Sequence, residues 1–217
     1  GYDACRKICI LSSLVFGKHV YPEWVHCEGI SSITAEDAKY AESWGGAVKL
    51  IGSVKRTADG KILPIVRPAF VCGANQLSNV NDVFNGIMVY GDAIDQVMFY
   101  GRGAGKFPTA SAIVADLIDA AKMKGTSISQ VWEDSKDNSF IADYKEDVLP
   151  FYVRVQGVSK DKAKEVFGEV EFLTRENCPA DEIAFITPEI KEKDFDEKLT
   201  QLGGKVLGKI RVLNLES

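Results

Sequence analysis

Hydrophobic residues recur at helical spacing in several parts of the chain. The clearest case is residues 108–124, where apolar positions repeat every three or four residues and Pro108 suits the first turn. Residues 2–16 are polar at the start and apolar on most faces afterwards, which predicts a buried helix. The TAED stretch at 34–37 is typical of a helix start, and the glycines at 45–46 predict the end of that helix.

Strand-like runs occupy the intervals between these helices. Runs at 47–56 and 62–71 flank the dipeptide Asp59-Gly60, so together they predict a hairpin. Two further strands are predicted at 84–90 and 96–100.

The C-terminal third follows a β-α-β-β-α-β order, which is the ferredoxin-like plan. The predicted strands are 151–156, 170–174, 183–187 and 205–212, and the predicted helices are 160–167 and 191–202. A unit of fewer than about 70 residues is small for independent stability. We therefore expect it to dock on the rest of the chain or to pair with a copy of itself.

These elements predict an α+β protein in three parts. A first domain covers 1–124, and a polar segment rich in serine and charge, at 125–148, is a linker or a capping segment. A small ferredoxin-like domain covers 149–217.

Composition and charge exclude several classes of protein. With 46% hydrophobic and 26% charged residues, the chain has the profile of a soluble globular protein. A net charge of −5 argues against nucleic-acid binding. No apolar run approaches the ~20 residues of a bilayer span, and residues 1–7 lack the features of a signal peptide.

Cysteine and histidine usage predicts no metal site. The five cysteines are scattered without a C-x-x-C pair. Cys5 and Cys9, one helical turn apart among apolar residues, are better interpreted as buried free thiols than as metal ligands, and the reducing cytosol is the expected compartment. The two histidines, His19 and His26, are too few for a histidine-based site, and we interpret both as incidental.

Two features are candidates for chemistry. The GRGAGK stretch at 101–106 fails the P-loop pattern and the dinucleotide pattern, because Phe107 and Lys106 stand at required positions. It is either a turn that lets a ligand approach the backbone beside a helix N-terminus or a tight turn that needs positive φ. Asp3 and Lys7 share a helix face at i and i+4, and they form either an exposed ion pair or a carboxylate-held proton donor.

Four stretches together resemble homoserine dehydrogenases. Residues 1–8 (GYDACRKI) are similar to the G-[YL]-D-A-x-x-K segment of that family, and residues 25–52 are similar to its EGI…IT…D…A…G…KL block. FNGIMVYGD at 84–92 and, above all, FYGRGAGKFPTASAIVADLI at 99–118 are similar to its most distinctive motif. The resemblance runs from residue 1 to about residue 124. Residues 150–216 resemble, more weakly, an ACT-type regulatory domain.

The resemblance implies a mixed sheet with helices packed on it and a reversible hydride transfer. The reaction interconverts L-homoserine and L-aspartate 4-semialdehyde with NAD(P), and it serves threonine, methionine and isoleucine biosynthesis in the cytoplasm. In the family the lysine of the first segment, here Lys7, donates the proton, and the aspartate, here Asp3, binds the substrate. The last glycine of the GAG run, here Gly105, lies against the cofactor. A homodimer or higher homo-oligomer is the usual arrangement.

The departures from the family pattern lead to further expectations. Family members begin with a Rossmann domain, which this sequence lacks, so we expect that NAD(P) is bound mainly by a domain that precedes Gly1. We expect residues 1–217 alone to be inactive. The ACT-like region lacks the family's D-x-x-G-x-L turn at 157–163. Threonine as an effector and a purely structural or dimerising role therefore both stay open.

Two alternative readings belong to other classes. One is a non-catalytic amino-acid-binding or regulatory module that kept the fold. The other is a cytosolic scaffold of ferredoxin-like type, which explains 150–216 but not the GAGKFPTASA string. Retention of both Asp3 and Lys7 favours the enzyme, because a binding module does not need a proton donor.

Overall fold

In the computed structural model, residues 1–126 and 132–213 are described, and they fall into two compact units. The first contains the described residues of Gly1–Ala74 and Val131–Ser217, and the second contains those of Asn75–Gln130. These units divide the chain at places other than 124 and 149, and the predicted domain boundaries stay a prediction. Parts of the predicted linker and of the predicted last domain, residues 127–131 and 214–217, lie outside the described residues.

The helices confirm the local patterns closely. Gly17 follows the first helix in the left-handed conformation, and Thr34 caps the second helix, as the TAED stretch predicts. The helices are α1 (Tyr2–Phe16), α2 (Ala35–Ser43), α3 (Lys106–Lys122), α4 (Lys160–Phe167) and α5 (Glu192–Leu202).

The strands also follow the predicted runs, with short additional pieces. The strands are β1 (His26–Cys27), β2 (Gly46–Arg56), β3 (Ile62–Cys72), β4 (Phe84–Gly91), β5 (Asp95–Arg102), β6 (Val148–Leu149), β7 (Phe151–Gln156), β8 (Glu171–Leu173), β9 (Glu182–Ile186), β10 (Ile190–Lys191) and β11 (Lys205–Leu213). Asp59-Gly60 does form the turn between β2 and β3, with Gly60 at φ 83°. The predicted hairpin is therefore confirmed.

A mixed sheet of seven strands organises the first unit. Its order is β1-β3-β11-β7-β9-β8, and β2 pairs with the other edge of β3 along its full length. β1 and β11 are both parallel to β3 and follow one another along it, at Ile65–Val66 and at Ala69–Val71. Burial on every side explains why β3 is a nearly continuous apolar run.

The ferredoxin-like order is confirmed within this sheet. Its four strands stand in the order β11-β7-β9-β8, with α4 and α5 as the two helices. Phe151, Phe167, Phe185 and Phe195 form the centre of its core. Because β11 also pairs with β3, this segment continues the sheet of residues 1–74 and does not form a separate sheet.

The predicted burial of α1 on most faces is wrong. Cys5, Ile8 and Cys9 are buried on β2 and β3, whereas Leu14 and Val15 are exposed. The helix packs on one face of a sheet, so a single apolar stripe is covered. None of the helices in the described ranges is long and apolar enough to cross a membrane.

The second unit contains the β4–β5 hairpin and α3. The hairpin pairs in register from Phe84↔Arg102 to Gly91↔Asp95. α3 has no buried residue, and large apolar side chains on it are exposed, among them Leu117 and Ile118. The helical period of 108–124 therefore marks an apolar face that this unit does not cover.

Candidate active site

Helix α1 carries the two candidate residues of the first unit. A glycine, Gly1, stands at its N-cap, and Asp3 in the first turn complements the positive end of the helix dipole. The helix approaches the sheet closely at Gly52, where an added Cβ would lie 3.5 Å from Ile8 Cβ and 3.7 Å from the carbonyl oxygen of Ala4. This contact fixes which face of α1 is turned to solvent.

The exposed face brings Asp3 and Lys7 together. Lys7 Nζ lies 2.8 Å from Asp3 Oδ2, and the side chains are 63% and 84% exposed, respectively. The hydrogen bond from Lys7, reinforced by its charge, holds the pKa of Asp3 below its usual range. The pair thus places an ammonium group and a carboxylate side by side on a face that is open to solvent.

Gly105, the third candidate, belongs to the second unit and is described separately. It directly precedes α3 with φ 121° and ψ 163°, a region that only glycine adopts readily. An added Cβ would meet nothing nearer than Pro108 Cδ at 3.7 Å, so the space beside this backbone is open. At Gly103, by contrast, a Cβ would collide with the side chain of Asn85. The turn therefore needs positive φ at Gly105, and the approach of a ligand to this backbone stays a prediction.

A buried ion cluster beside the start of α1 was missed by sequence reasoning. Arg211 donates to both oxygens of Glu28, at 2.8 Å each, and also to Glu192. His26 Nε2 lies 2.5 Å from Glu28 Oε1, so this histidine belongs to the cluster. The sequence carries no clear signal for this cluster, because the strand that holds Arg211 also carries Lys205 and Lys209.

A second buried cluster joins α2 to the ferredoxin-like strands. Asp37 accepts a hydrogen bond from Arg154 Nε at 2.9 Å and one from Tyr152 at 3.1 Å. Arg154 also bonds Glu182 at 3.2 Å. Tyr40 donates to Glu182 at 2.9 Å. These contacts hold α2 on the sheet and lie apart from Asp3 and Lys7 in sequence.

Other chemistry is sparse in the described part of the chain. Within residues 1–126 and 132–213, no group of three or more histidine, cysteine or carboxylate side chains could hold a metal ion. All five cysteines are free thiols, and burial raises the pKa of Cys9 to about 12. A thiol with that pKa is a poor nucleophile at neutral pH, so Cys9 serves packing.

Comparisons with known proteins agree on one family. The sequence profile described as homoserine dehydrogenase matches residues 1–118. The homoserine dehydrogenase of Synechocystis is 48% identical over 122 residues, which cover 55% of this chain and 28% of that protein. The homoserine dehydrogenase of Bacillus subtilis is 35% identical over 217 residues, covering 93% of this chain and 49% of that protein.

Solved structures extend the likeness over the whole chain. A homoserine dehydrogenase from Thiobacillus denitrificans superimposes with a TM-score of 0.83 at 26% identity, covering 99% of this chain and 53% of that one. The S. aureus homoserine dehydrogenase at pH 6.0 superimposes with a TM-score of 0.76 at 28% identity. The match covers 99% of this chain and 54% of that one. This chain thus spans about half the length of these solved relatives. On the profile match across more than half of its residues, the chain belongs to the homoserine dehydrogenase family.

Proposed function

We propose that this chain is the substrate-binding and proton-transferring part of an enzyme that interconverts L-homoserine and L-aspartate 4-semialdehyde. The reaction serves the synthesis of threonine, methionine and isoleucine. The observation that carries the proposal is the pairing of Lys7 Nζ with Asp3 Oδ2 at 2.8 Å on the exposed face of α1, inside the region that the family profile matches. An ammonium beside a carboxylate suits a zwitterionic amino acid with one reacting oxygen.

Lys7 acts on the reacting oxygen. During aldehyde reduction the carbonyl carbon gains a hydride and its oxygen gains negative charge. Lys7 then donates a proton to this oxygen, so that an N–H bond of its ammonium breaks as the new O–H bond forms. In homoserine oxidation the neutral amine takes the hydroxyl proton. Asp3 binds the substrate ammonium and holds the Lys7 side chain toward the same side of the helix.

NAD(P) supplies or accepts the hydride when it is bound, and members of the family generally use it. The open backbone at Gly105 fits a flat ring that approaches without a side chain between them. The relatives are about twice as long as the part that this chain matches. We propose that an equivalent of their unmatched half provides most of the cofactor contacts.

The exposed apolar residues of the second unit support an assembly. Phe99 is 62% exposed, Phe107 79% and Leu117 64%. Large apolar side chains with this much exposure are typical of a surface that another protein segment covers. We propose that it is covered in a homodimer or higher homo-oligomer. Free thiols at all five cysteines support a cytoplasmic location, where cysteines stay reduced.

Two roles stay open for the ferredoxin-like segment, namely threonine binding and a structural role. The pairing of β11 with β3 favours the structural role, because the segment completes the main sheet. Threonine titration of the homoserine-dependent activity separates the two: inhibition at constant stability supports an effector site.

The experiment that tests the function uses the complete product of the gene that encodes this chain. Homoserine-dependent reduction of NAD(P)⁺ is measured for the wild type, for Lys7→Ala and for Arg6→Ala. Arg6 is the matched control, since it is a neighbouring exposed cation on α1. We expect Lys7→Ala to lower kcat by ~10²-fold or more, and Arg6→Ala to stay close to the wild type.

Each other outcome has a defined meaning. Near-normal activity of Lys7→Ala would remove the proton-donor role from Lys7. A wild type that is silent with both cofactors would favour the non-catalytic amino-acid-binding module, and homoserine and threonine binding would then be measured by calorimetry.

A further inference from the structure

Arg211 lies at the centre of a charge cluster that it forms with Glu28, after β1, and Glu192, at the start of α5. Its guanidinium, on β11, forks onto Glu28 with two bonds of 2.8 Å and onto Glu192 at the start of α5. The Arg211 side chain is only 7% exposed, so these bonds form in a largely desolvated place. Two carboxylates fix the guanidinium on both sides.

Glu28 is held at its side chain and at its backbone. Besides Arg211, His26 bonds its carboxylate at 2.5 Å, and the ring of His26 stacks on Tyr144 at 3.6 Å. Burial would raise the pKa of Glu28, but the hydrogen bonds from His26 and Arg211 outweigh it and hold that pKa well below its usual range. The backbone N–H of Glu28 donates to Val66 of β3 at 2.8 Å. The segment that follows β1 is therefore held through both the side chain and the backbone of Glu28.

The start of α1 rests on this fixed segment. A Cβ added to Gly1 would lie 2.9 Å from Cys27 Sγ and 3.0 Å from the carbonyl oxygen of Glu28, so the two backbones touch. A Cβ added to Gly29 would lie 3.3 Å from the nitrogen of Gly1. The Gly1 carbonyl in turn accepts the first helical bond, from the Cys5 N–H at 2.9 Å.

The contacts of the Asp3 and Lys7 side chains do little to fix their position. Their side chains are exposed, and the bond between them is internal to the helix. Exposed pairs of this kind order a helix only weakly. The place of the two groups therefore depends on where the first two turns of α1 lie. The sheet contact at Gly52 turns this face of the helix to solvent, and the Glu28 segment contacts the N-terminal end of the helix.

We propose that Arg211 and Glu28 are positioning residues for the Asp3–Lys7 pair. Arg211 acts through Glu28, which acts through its backbone contact with Gly1, and neither touches the substrate in this scheme. The expected effect on catalysis rests on the proposed function of Asp3 and Lys7. The structural link from β11 to α1 can be tested without any turnover.

The test compares Arg211→Lys, Glu28→Gln and Arg154→Lys in the complete gene product. Arg154 is a matched control, because it is also 7% exposed, lies in the same sheet and binds two carboxylates, but it contacts α2 and not the Glu28 segment. Hydrogen–deuterium exchange is followed at the amides of residues 5–9. We expect both test variants to speed this exchange by at least ~5-fold relative to the wild type, and Arg154→Lys to leave it unchanged.

Kinetics with homoserine and NAD(P)⁺ give the second readout. We expect kcat to fall ~10- to 100-fold in the two test variants, because displaced catalytic groups lose orientation, while Arg154→Lys keeps the wild-type kcat. If Arg211→Lys does not fold, the result for Glu28→Gln alone decides whether the positioning role holds, because glutamine keeps an acceptor for Arg211. Unchanged exchange at 5–9 in Glu28→Gln, or an equal rise in Arg154→Lys, would overturn the inference. An inactive wild type with the expected exchange pattern would refute the proposed function alone.

Discussion

Asp37 should be the most sensitive single carboxylate of the α2 contact. Its side chain is 1% exposed and bonds Arg154, which is itself 7% exposed. Asp37→Asn keeps the volume of the side chain and an oxygen for the Thr34 cap, but it replaces with an NH2 group the oxygen that accepts from Arg154 Nε and Tyr152. Glu182 would then be the one carboxylate left opposite the buried Arg154.

The expected loss follows from the cost of breaking a buried pair. Removing one partner of such a pair costs about 3–5 kcal/mol, and we expect the lower end here because Glu182 still faces Arg154. A loss of about 3 kcal/mol lowers the Tm of a protein of this size by roughly 6–12 °C.

The assay is urea unfolding followed by circular dichroism and by tryptophan fluorescence, so that agreement of the two probes checks two-state behaviour. Asp161→Asn is the matched control, because Asp161 also lies in the first turn of a helix but is exposed. We expect it to change the free energy of unfolding by less than about 0.5 kcal/mol. If Asp37→Asn costs no more than this control, the buried pair does not stabilise the fold and the reasoning is refuted.

Two further predictions concern the ionisation of Glu28 and the backbone at Gly105. The pKa of Glu28 is depressed in the folded state, so its ionisation stabilises the fold above the unfolded pKa of about 4.3 and this contribution is lost as pH falls below it. The stability difference between the wild type and Glu28→Gln should stay constant from neutral pH to about 5 and then shrink, and a constant difference down to acid unfolding would contradict this. Gly105→Ala should raise the KM for NAD(P) and destabilise α3, since alanine at this φ and ψ costs about 1–3 kcal/mol. Gly101→Ala is its control because that position is open, and equal KM values in the two variants would exclude the proposed cofactor approach.

Local elements could be predicted from the sequence because their signals are local. The strand at 151–156 and the helix at 160–167 appear with the predicted bounds, and Ser159 caps that helix. The alternation of apolar and polar residues, together with caps and turn glycines, is enough for such elements. The ferredoxin-like order follows from them, since it is a sequence of neighbouring elements.

The pairings that build the sheet could not be predicted in this way. β11 and β3 are far apart in the chain, and no local pattern indicates that they pair. The same is true of Arg211 and Glu28, which are 183 residues apart. The exposed apolar residues of α1 were misjudged because hydrophobicity alone does not show that a helix lies on one face of a sheet.

In the candidate site, too, the local contacts could be predicted from the sequence and the long-range contacts could not. Spacing at i and i+4 was sufficient to bring Asp3 and Lys7 together, and the structure places them at 2.8 Å. The roles of Asp3, Lys7 and Gly105 rest on the family resemblance and stay predictions. The support for α1 comes from distant residues, so only a folded chain could show it.

The position of β11 beside β3 also constrains the order in which the protein can be completed during synthesis. β3 ends at Cys72, and the strand that covers part of its second edge begins only at Lys205. At ~5–20 residues per second, the ribosome needs on the order of ten seconds to make the chain between them. During that interval the longest apolar strand has an open edge, which is a template for pairing with other chains. A premature stop that removes β11 would make that exposure permanent, so we expect shortened chains to depend on chaperones more than the finished protein does.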